Sequence, residues 1–337
     1  MSGAPVAIEE CRDGDGSFAL ADLVGRARPL VIRGLCRDWP MVAWARQSDD
    51  AFARELARRD NGSEVDALLL PPGEGGVIGY NAAFDGFNYE HHRVSIGQGL
   101  QRLAQYSRQP GAPGLAMQSA LIAECLPGLL DDHAIPFLDR SIQPRIWIGN
   151  RVTTPAHFDE YHNVACVVCG VRRFTLFAPE QARNLYVGPL DFAPTGAAIG
   201  IARLDRPDDP RYPRLKLALA EAQVAELHPG DAIYIPPLWW HHVESLQRIN
   251  ALVNYWWRPV PAAGHAPDTA LGCLMHCILA FRSLPPTERA AWRELLDYYV
   301  FGDEDPAAHL PVNRRGILGP LTPAQLAEAR ASVRRYL

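Results

Sequence analysis

The sequence predicts a mainly β fold with flanking helices. Five short apolar segments, separated by turns that contain Gly and Pro and with no long helix between them, lie between Arg145 and Trp257: RIWIG, NVACVVCG, FTLFAP, DAIYIPP and NALVNYWW. Strands of this length and spacing are typical of an antiparallel sandwich or barrel. The 27 glycines and 29 prolines in 337 residues agree with a turn-rich fold.

The chain before this β-rich stretch predicts an N-terminal α/β extension, residues 1–140, that packs on the core. Helical patterns alternate there with an apolar strand at Pro29–Arg33 and another that ends at Pro71; the helical patterns lie near Phe18–Ala27, over Asp50–Arg59 and over Ile96–Tyr106. The core itself is expected over residues 141–260. Residues 261–337 are expected to be helical, because apolar residues recur there at helical spacing. The last helix should begin at the capping box Thr322–Gln325, which has proline at the first helical position.

The first of these C-terminal helices is apolar around most of its circumference, with Leu271, Leu274, Met275, Ile278 and Phe281 in one short segment. Such a helix has to bury more than one face, either in a core or at a subunit interface. We expect a homodimer interface formed by the C-terminal helices.

Charge and composition restrict the partners. The formal net charge is −5, so neither nucleic acid nor an anionic membrane is the expected partner. No segment approaches the ~18 consecutive apolar residues of a membrane span, and the first sixteen residues lack the pattern of a secretory signal. The seven cysteines are scattered and odd in number, as expected for free thiols in the cytoplasm. Cys166 and Cys169 could indicate a metal site, but they form a single pair in an apolar segment, which favours buried strand cysteines.

The chemistry is concentrated around His157 and Asp159. On a strand, two residues at this spacing point to the same face, where an imidazole and a carboxylate can share a metal ion. The pair alone is a weak signal. Roughly eighty residues later, a Pro-Gly-Asp turn leads into an apolar strand that ends in His241 and His242. A second histidine from a neighbouring strand would complete the two-histidine, one-carboxylate facial triad of a non-haem Fe(II) oxygenase.

At these residues the chain resembles the Jumonji-C (cupin-like) 2-oxoglutarate oxygenases. The resemblance rests on TPAHFDE, YIPPLWWHHVES and VNYWW, is strong over about Arg145–Arg258 and fades in the C-terminal helices. Within the family, the motifs are closest to those of the asparaginyl hydroxylase that modifies hypoxia-inducible factor. The resemblance implies a double-stranded β-helix (jelly roll) core with the metal inside its mouth, and C-terminal helices that dimerise. It also implies that His157, Asp159 and His241 are the Fe(II) ligands and that His242 faces the other side of its strand.

The resemblance further implies a site for the co-substrate 2-oxoglutarate. The residues that match the family pattern are Thr154, Asn163, Arg172 and Asn254, with Trp256 in the wall. The family relatives have lysine at position 172, whereas this chain, which contains only one lysine, Lys216, has arginine. A guanidinium can bind a carboxylate through two parallel hydrogen bonds where lysine supplies a point charge. The tyrosine that the family uses at the same carboxylate falls near Ala116 here, and we expect the small alanine to make room for the larger cation.

The implied reaction is hydroxylation of an unactivated C–H bond by O2, coupled to conversion of 2-oxoglutarate to succinate and CO2. A protein or peptide side chain is the expected substrate class, and a small molecule is the alternative. The segment Thr195–Gly200, where the asparaginyl hydroxylase holds its target, has no amide-binding partner, so asparagine hydroxylation is not carried over. We expect the segment Gly188–Leu215 to line the entrance with Tyr80, Phe87 and Tyr89. Two other classes stay open: a metal-binding cupin-like protein without turnover and, less favoured because of the charge, an enzyme that modifies nucleic acid.

Overall fold

The structure, a computed structural model, describes residues 6–12, 20–194, 196–258 and 270–335. The chain divides into two compact units, Met1–Trp257 and Arg258–Leu337. All strands of the described residues lie in the first unit: β1 (Val6–Ala7), β2 (Glu10–Arg12), β3 (Leu30–Arg33), β4 (Val65–Leu70), β5 (Glu90–Val94), β6 (Gly114–Leu121), β7 (Arg145–Gly149), β8 (Thr153–His157), β9 (His162–Cys169), β10 (Arg172–Phe177), β11 (Gln223–Leu227), β12 (Ala232–Ile235), β13 (Trp240–Ser245) and β14 (Asn250–Trp257).

Six α-helices accompany these strands in the first unit and three form the described part of the second: α1 (Leu20–Arg26), α2 (Pro40–Gln47), α3 (Asp49–Ala57), α4 (Ile96–Tyr106), α5 (Ile122–Cys125), α6 (Leu215–Ala220), α7 (Ala270–Phe281), α8 (Pro286–Leu296) and α9 (Pro323–Arg334). Helix α4 has the bounds that the sequence predicts, and its capping box joins Ser95 and Gln98. In the described segments, no helix combines the length and the apolarity that crossing a bilayer requires.

The strands form two sheets. The smaller sheet has the order β1-β11-β10-β13-β8, and the larger has the order β2-β3-β12-β9-β14-β7-β6-β4-β5. Most neighbours are antiparallel. The prediction of a mainly β jelly-roll core with flanking helices is confirmed. The N-terminal region contributes directly to the larger sheet, since β3 pairs with β12 and β6 pairs with β7.

The sandwich interior lies between the two sheets. It is a cluster of buried apolar side chains to which both sheets contribute, among them Phe174, Leu176 and Val243 from the smaller sheet and Val167 and Leu252 from the larger. The opposite face of the larger sheet packs under helices in a second cluster. All eight residues of β9 are therefore buried, which explains why this strand reads as a continuous apolar run instead of an alternating one. Cys166 and Cys169 are buried, which confirms the prediction of buried strand cysteines, and none of the seven cysteines forms a disulfide.

The second unit is helical, as the sequence predicts, and α9 begins with the expected capping box between Thr322 and Gln325. Its apolar side chains are unusually accessible. In the part of this unit that the structure describes, Ala307 is the one buried hydrophobic residue. Large exposed side chains occupy α7, α8 and the turn after α8: Leu274, Ile278, Leu279, Trp292, Leu295, Tyr298, Tyr299, Val300 and Phe301.

Candidate functional site

His157 and His241 face each other across neighbouring strands. Strand β8 is at the edge of the smaller sheet and pairs with β13, where His241 lies directly opposite His157. The pairing then shifts, so that Val243 lies opposite Thr154. This bulge in β8 places Thr154 and His157, three residues apart, on the same inward face, although three residues in a regular strand would point them to opposite faces.

Asp159 reaches the site in a way that the sequence did not predict. We expected it on the same strand face as His157, but β8 ends at His157 and Asp159 lies in the turn that follows. Its main-chain carbonyl accepts a hydrogen bond from the N–H of Leu238, with an N···O distance of 2.8 Å. The position of the Asp159 carboxylate therefore depends on a hydrogen bond between two turns, and not on strand alternation.

The second correction concerns the histidine pair. We expected one apolar strand to end in His241 and His242, but β12 ends at Ile235 and the histidines open the next strand, β13, after a turn over residues 236–239. Proline has no N–H to donate to a strand ladder, so Pro236 and Pro237 end the strand there. Within this turn Leu238 has a φ of 66°, in the left-handed region.

The three side chains converge. The imidazole rings of His157 and His241 are 4.1 Å apart between centroids, and His241 Nε2 is 3.6 Å from Asp159 Oδ2. One ligand atom from each residue lies within 4.8 Å of the others. The Nδ1 atoms contact main-chain carbonyls, of Pro155 at 2.9 Å and of Trp239 at 3.1 Å. A carbonyl can only accept, so Nδ1 carries the proton and Nε2 of each ring is left with a lone pair for a metal ion.

Burial keeps His241 neutral. It lowers the pKa of this histidine, and the positive charge that His157 can carry lowers it further, against the opposing effects of Asp159 and the Trp239 carbonyl. A metal ligand must be the neutral imidazole, so this shift favours ligation. Two imidazoles and one carboxylate on one side of an ion fit the facial triad of non-haem Fe(II) sites, which leaves coordination positions open.

His242 lies on the opposite face of β13, as expected. It lines a groove of about 1830 Å³ whose lining residues do not include the triad. Thr175, which pairs with His242, also lines this groove, together with Tyr80, Phe87, Tyr89 and Ile199. The successive residues His241 and His242 of β13 thus face opposite sides of the smaller sheet.

Of the segment Thr195–Gly200, the described residues 196–200 run beside His157, and Thr195 lies outside the described residues. Ile199 forms an isolated bridge with His157, and the N–H of Gly200 donates to the Ala156 carbonyl at 2.7 Å. The segment therefore covers the outer edge of β8 at the triad end.

The remaining predicted residues point into the sandwich from both sheets. On the smaller sheet, Thr154 lies opposite Val243 and Arg172 lies on the same face of β10 as Phe174. On the larger sheet, Asn163, Asn254 and Trp256 occupy the face that Val167 and Leu252 bury in the interior. An even spacing from His157 would not have placed Arg172; its orientation follows from β10 restarting after the tight turn at Gly170.

Arg172 is a buried cation. It is 8% exposed, its Nε has no hydrogen-bond partner, and no carboxylate in the described part of the chain forms an ion pair with it. Burial lowers its pKa to about 10. A buried guanidinium without a protein counterion is costly, so this position suits the binding of an anion.

The two asparagines form a buried pair. Asn254 Nδ2 donates to Asn163 Oδ1 at 2.8 Å, while Asn254 Oδ1 is buried without a partner. His162, at the start of β9, makes a 2.8 Å hydrogen bond between its Nδ1 and the Tyr234 hydroxyl, and burial lowers its pKa. Its ring also stacks on Trp257 at 5.3 Å.

The sequence reasoning missed Trp147. This residue lies on β7 opposite Leu252, packs against the sandwich interior, and has a buried Nε1 without a hydrogen-bond partner. Strand alternation could have placed it on the inward face, but nothing in the sequence separates an indole that packs from one that binds. Ala116, where the family tyrosine was expected, packs in a cluster with Tyr89 and Val152.

Comparison with known proteins agrees with this geometry. Residues 16–263 match the family model described as Cupin-like domain. The chain is 32% identical to Jumonji C domain-containing protein 5 of Drosophila melanogaster over 193 residues, 53% of this chain and 45% of that protein. It is 35% identical to Lysine-specific demethylase JMJ31 of Arabidopsis thaliana over 114 residues, 33% and 20% of the two chains. It is 30% identical to tRNA wybutosine-synthesizing protein 5 of Danio rerio over 170 residues, 48% of each chain. The matches span about half or less of the length of these relatives.

Proposed function

This chain belongs to the cupin-like domain family, and on that premise we propose that it is an Fe(II)- and 2-oxoglutarate-dependent oxygenase. The proposed reaction hydroxylates an unactivated C–H bond of a protein or peptide side chain with O2 and releases succinate and CO2. The observation that carries the proposal is the convergence of His157, Asp159 and His241.

The chain's own residues have a positioning function in this proposal. His157 and His241 would bind the iron through Nε2, since each Nδ1–H is held by a carbonyl of its own strand or turn. Asp159 would supply the carboxylate. Fe(II), 2-oxoglutarate and O2 supply the oxidising chemistry when bound, and the protein supplies orientation and a site from which water is excluded.

The co-substrate site is proposed between the two sheets. Arg172 would bind the far carboxylate of 2-oxoglutarate, because it is a buried cation without a protein counterion on the inward face. Thr154, Asn163 and Asn254 would provide hydrogen bonds, and Trp256 would form part of the wall. The unpartnered Asn254 Oδ1 and Trp256 Nε1 support a polar ligand in the same interior.

The substrate is proposed at the level of its class. The relatives include one named as a lysine demethylase and one named for tRNA wybutosine synthesis, so these names point to different substrate classes. We favour a protein side chain for this chain because its net charge of −5 disfavours binding to a polyanion. A small molecule is the second candidate class.

The test is succinate formation from 2-oxoglutarate by Fe(II)-loaded protein. We expect turnover in the wild type and its loss in Arg172→Met, with metal binding retained in that variant because Arg172 lies outside the triad. Complete absence of succinate from folded, metal-loaded wild-type protein would instead favour a metal-binding protein without turnover. Turnover that survives in Arg172→Met would refute the assignment of Arg172.

We also propose that the protein is a cytoplasmic homodimer. None of the seven cysteines forms a disulfide, which suits a reducing compartment. The dimer is supported by the helices α7 and α8, whose large apolar side chains are exposed in the single chain. An accumulation of exposed apolar side chains of this kind is typical of a protein interface.

A further inference from the structure

Three buried N–H donors in the sandwich interior have no acceptor among the described residues. They are Nε1 of Trp147, Nε1 of Trp256 and Nε of Arg172. Leaving a buried donor unpaired costs about 1–3 kcal/mol, so folded proteins rarely do so without a reason. Two of these donors are on neighbouring strands of the larger sheet and the third is on the smaller sheet, and together they indicate an acceptor-rich ligand in this interior.

The strand registers place the three donors at different depths. Strand β9 begins at His162, shortly after Asp159, and runs away from the triad to Cys169. Trp256 lies opposite Asn163, near the start of β9, whereas Trp147 lies opposite Leu252, which pairs with Val167 further along. Trp147 is therefore deeper than Trp256. Arg172 follows the turn at the far end of β9. Arg172 and Trp147 therefore both lie toward the deep end of the interior, away from the triad.

The indole of Trp147 packs against neighbours on two sides. Its ring meets Trp256 edge to face, with centroids 6.0 Å apart and an interplanar angle of 80°, and it packs against the interior cluster that contains Leu252. Edge-to-face contact is a preferred arrangement of aromatic rings, so this packing favours the observed orientation of the indole. A donor that is fixed before the ligand arrives loses little entropy on binding.

We propose that Trp147 is a binding residue for the far carboxylate of 2-oxoglutarate, to which its indole N–H donates beside the guanidinium of Arg172. This inference rests on the proposed function and adds a residue that it does not assign. One carboxylate accepts up to four hydrogen bonds, enough for an indole and a guanidinium together. The consequence is a carboxylate pocket built from an arginine and a tryptophan.

The test compares the conservative variant Trp147→Phe, which removes the N–H and keeps an aromatic ring, with wild-type protein. Calorimetric titration of the Mn(II)-loaded proteins with 2-oxoglutarate should give about tenfold weaker binding in the variant, the loss expected for one hydrogen bond to a charged acceptor. Titration with 2-oxobutyrate, which has the keto-acid end but no far carboxylate, should give equal affinities. Trp44→Phe, on α2 outside the interior, is the matched control and should bind like the wild type.

The outcomes separate the two proposals. Wild-type protein that binds Mn(II) but not 2-oxoglutarate contradicts the proposed function itself. Binding in the wild type that Trp147→Phe leaves unchanged contradicts only the role of Trp147. Equal weakening for 2-oxoglutarate and 2-oxobutyrate would place the indole at the keto-acid end and overturn the inference.

A measurement on wild-type protein needs no variant. In Zn(II)-loaded protein labelled with 15N at the indole nitrogens, 2-oxoglutarate should move two buried indole N–H resonances downfield, because both Trp147 and Trp256 acquire an acceptor. Addition of 2-oxobutyrate should move one at most. If 2-oxoglutarate binds and moves no more resonances than 2-oxobutyrate does, the inference is wrong whether or not Trp147→Phe folds.

Discussion

The main-chain N–H of Leu238 donates to the carbonyl of Asp159, with an N···O distance of 2.8 Å. This bond joins the turn after β8 to the turn before β13, and each turn adjoins a strand that carries a histidine of the triad. Leu238 holds a φ of 66°, which few leucines adopt, and its side chain is 48% exposed. The conformation aims the N–H at Asp159, so the position of the carboxylate depends on the backbone of a residue that contributes no ligand.

Replacing Leu238 should separate the role of its backbone from that of its side chain. Asparagine tolerates the left-handed region, so Leu238→Asn should change the free energy of unfolding by less than ~1 kcal/mol and leave Mn(II) affinity unchanged. Leu238→Pro removes the N–H and cannot adopt a positive φ, so Mn(II) should bind at least about tenfold more weakly. Mn(II) titration followed by electron paramagnetic resonance measures the Mn(II) affinity of both variants. Equal affinity in the two variants would refute the positioning role.

The adjacent histidines provide a matched pair for the metal site. His241→Ala removes a proposed ligand and should weaken Mn(II) binding by at least about a hundredfold, while His242→Ala, on the other face of β13, should leave it within about twofold. The same titration applies, with circular dichroism to verify that both variants are folded. If the two variants lost the metal equally, His241 would not be distinguished as a ligand.

The interior between the sheets should respond strongly to truncation. Phe174 is 1% exposed and packs between the sheets, so Phe174→Ala should lower the free energy of unfolding by about 3–5 kcal/mol. Phe84 is 45% exposed at the tip of a loop and contacts Tyr80, so Phe84→Ala should cost less than ~1 kcal/mol. Urea unfolding of both variants measures the difference. Similar costs would contradict the placement of Phe174 in the core.

His133 should make stability depend on pH. Burial lowers its pKa below the ordinary 6.5, against the opposing hydrogen bond from its Nδ1–H to the Leu129 carbonyl at 2.7 Å. The folded state thus binds fewer protons than the unfolded state. The contribution of neutral His133 to the free energy of unfolding is therefore fully present above pH 6.5 and declines as the pH falls below it. His133→Asn keeps a donor and does not titrate. The variant should lose less stability than the wild type between pH 7 and pH 5 in urea unfolding, and equal losses would assign the pH dependence to other groups.

The proposed dimer should depend on α7. Leu279 is 79% exposed in the single chain, and a glutamate there would place a charge in an apolar interface at high cost. Leu279→Glu should therefore convert the dimer to a monomer in light scattering coupled to size exclusion. Lys216→Glu, at an exposed site on α6, is the control and should remain dimeric. A monomeric wild type at micromolar concentration would contradict the proposal.

Much of the fold was predictable because the sequence of each strand segment itself indicates a strand. The segments of β7, β9, β12 and β14, together with α4, are where apolar runs and turn residues indicate them. The approach of Asp159 to His241 was not predictable in this way, because it depends on a hydrogen bond between two turns. The common face of Thr154 and His157 depends on a bulge set by pairing with β13, and the role of Trp147 depends on an unpaired indole nitrogen that only three-dimensional packing reveals.

The edge position of β8 has a consequence for how fast a bound ion can leave. His157 ends this strand and Asp159 follows it, so two of the three proposed ligands move together if the strand separates from β13. Such an opening breaks one strand pairing, the short bridges to Val77 and Ile199 and the hydrogen bond from Leu238 to Asp159, while the interior cluster around Phe174 stays intact. The rate of ion exchange would then equal the local opening rate of β8 and not the rate of global unfolding. Hydrogen exchange of the β8 amides measures that local opening rate.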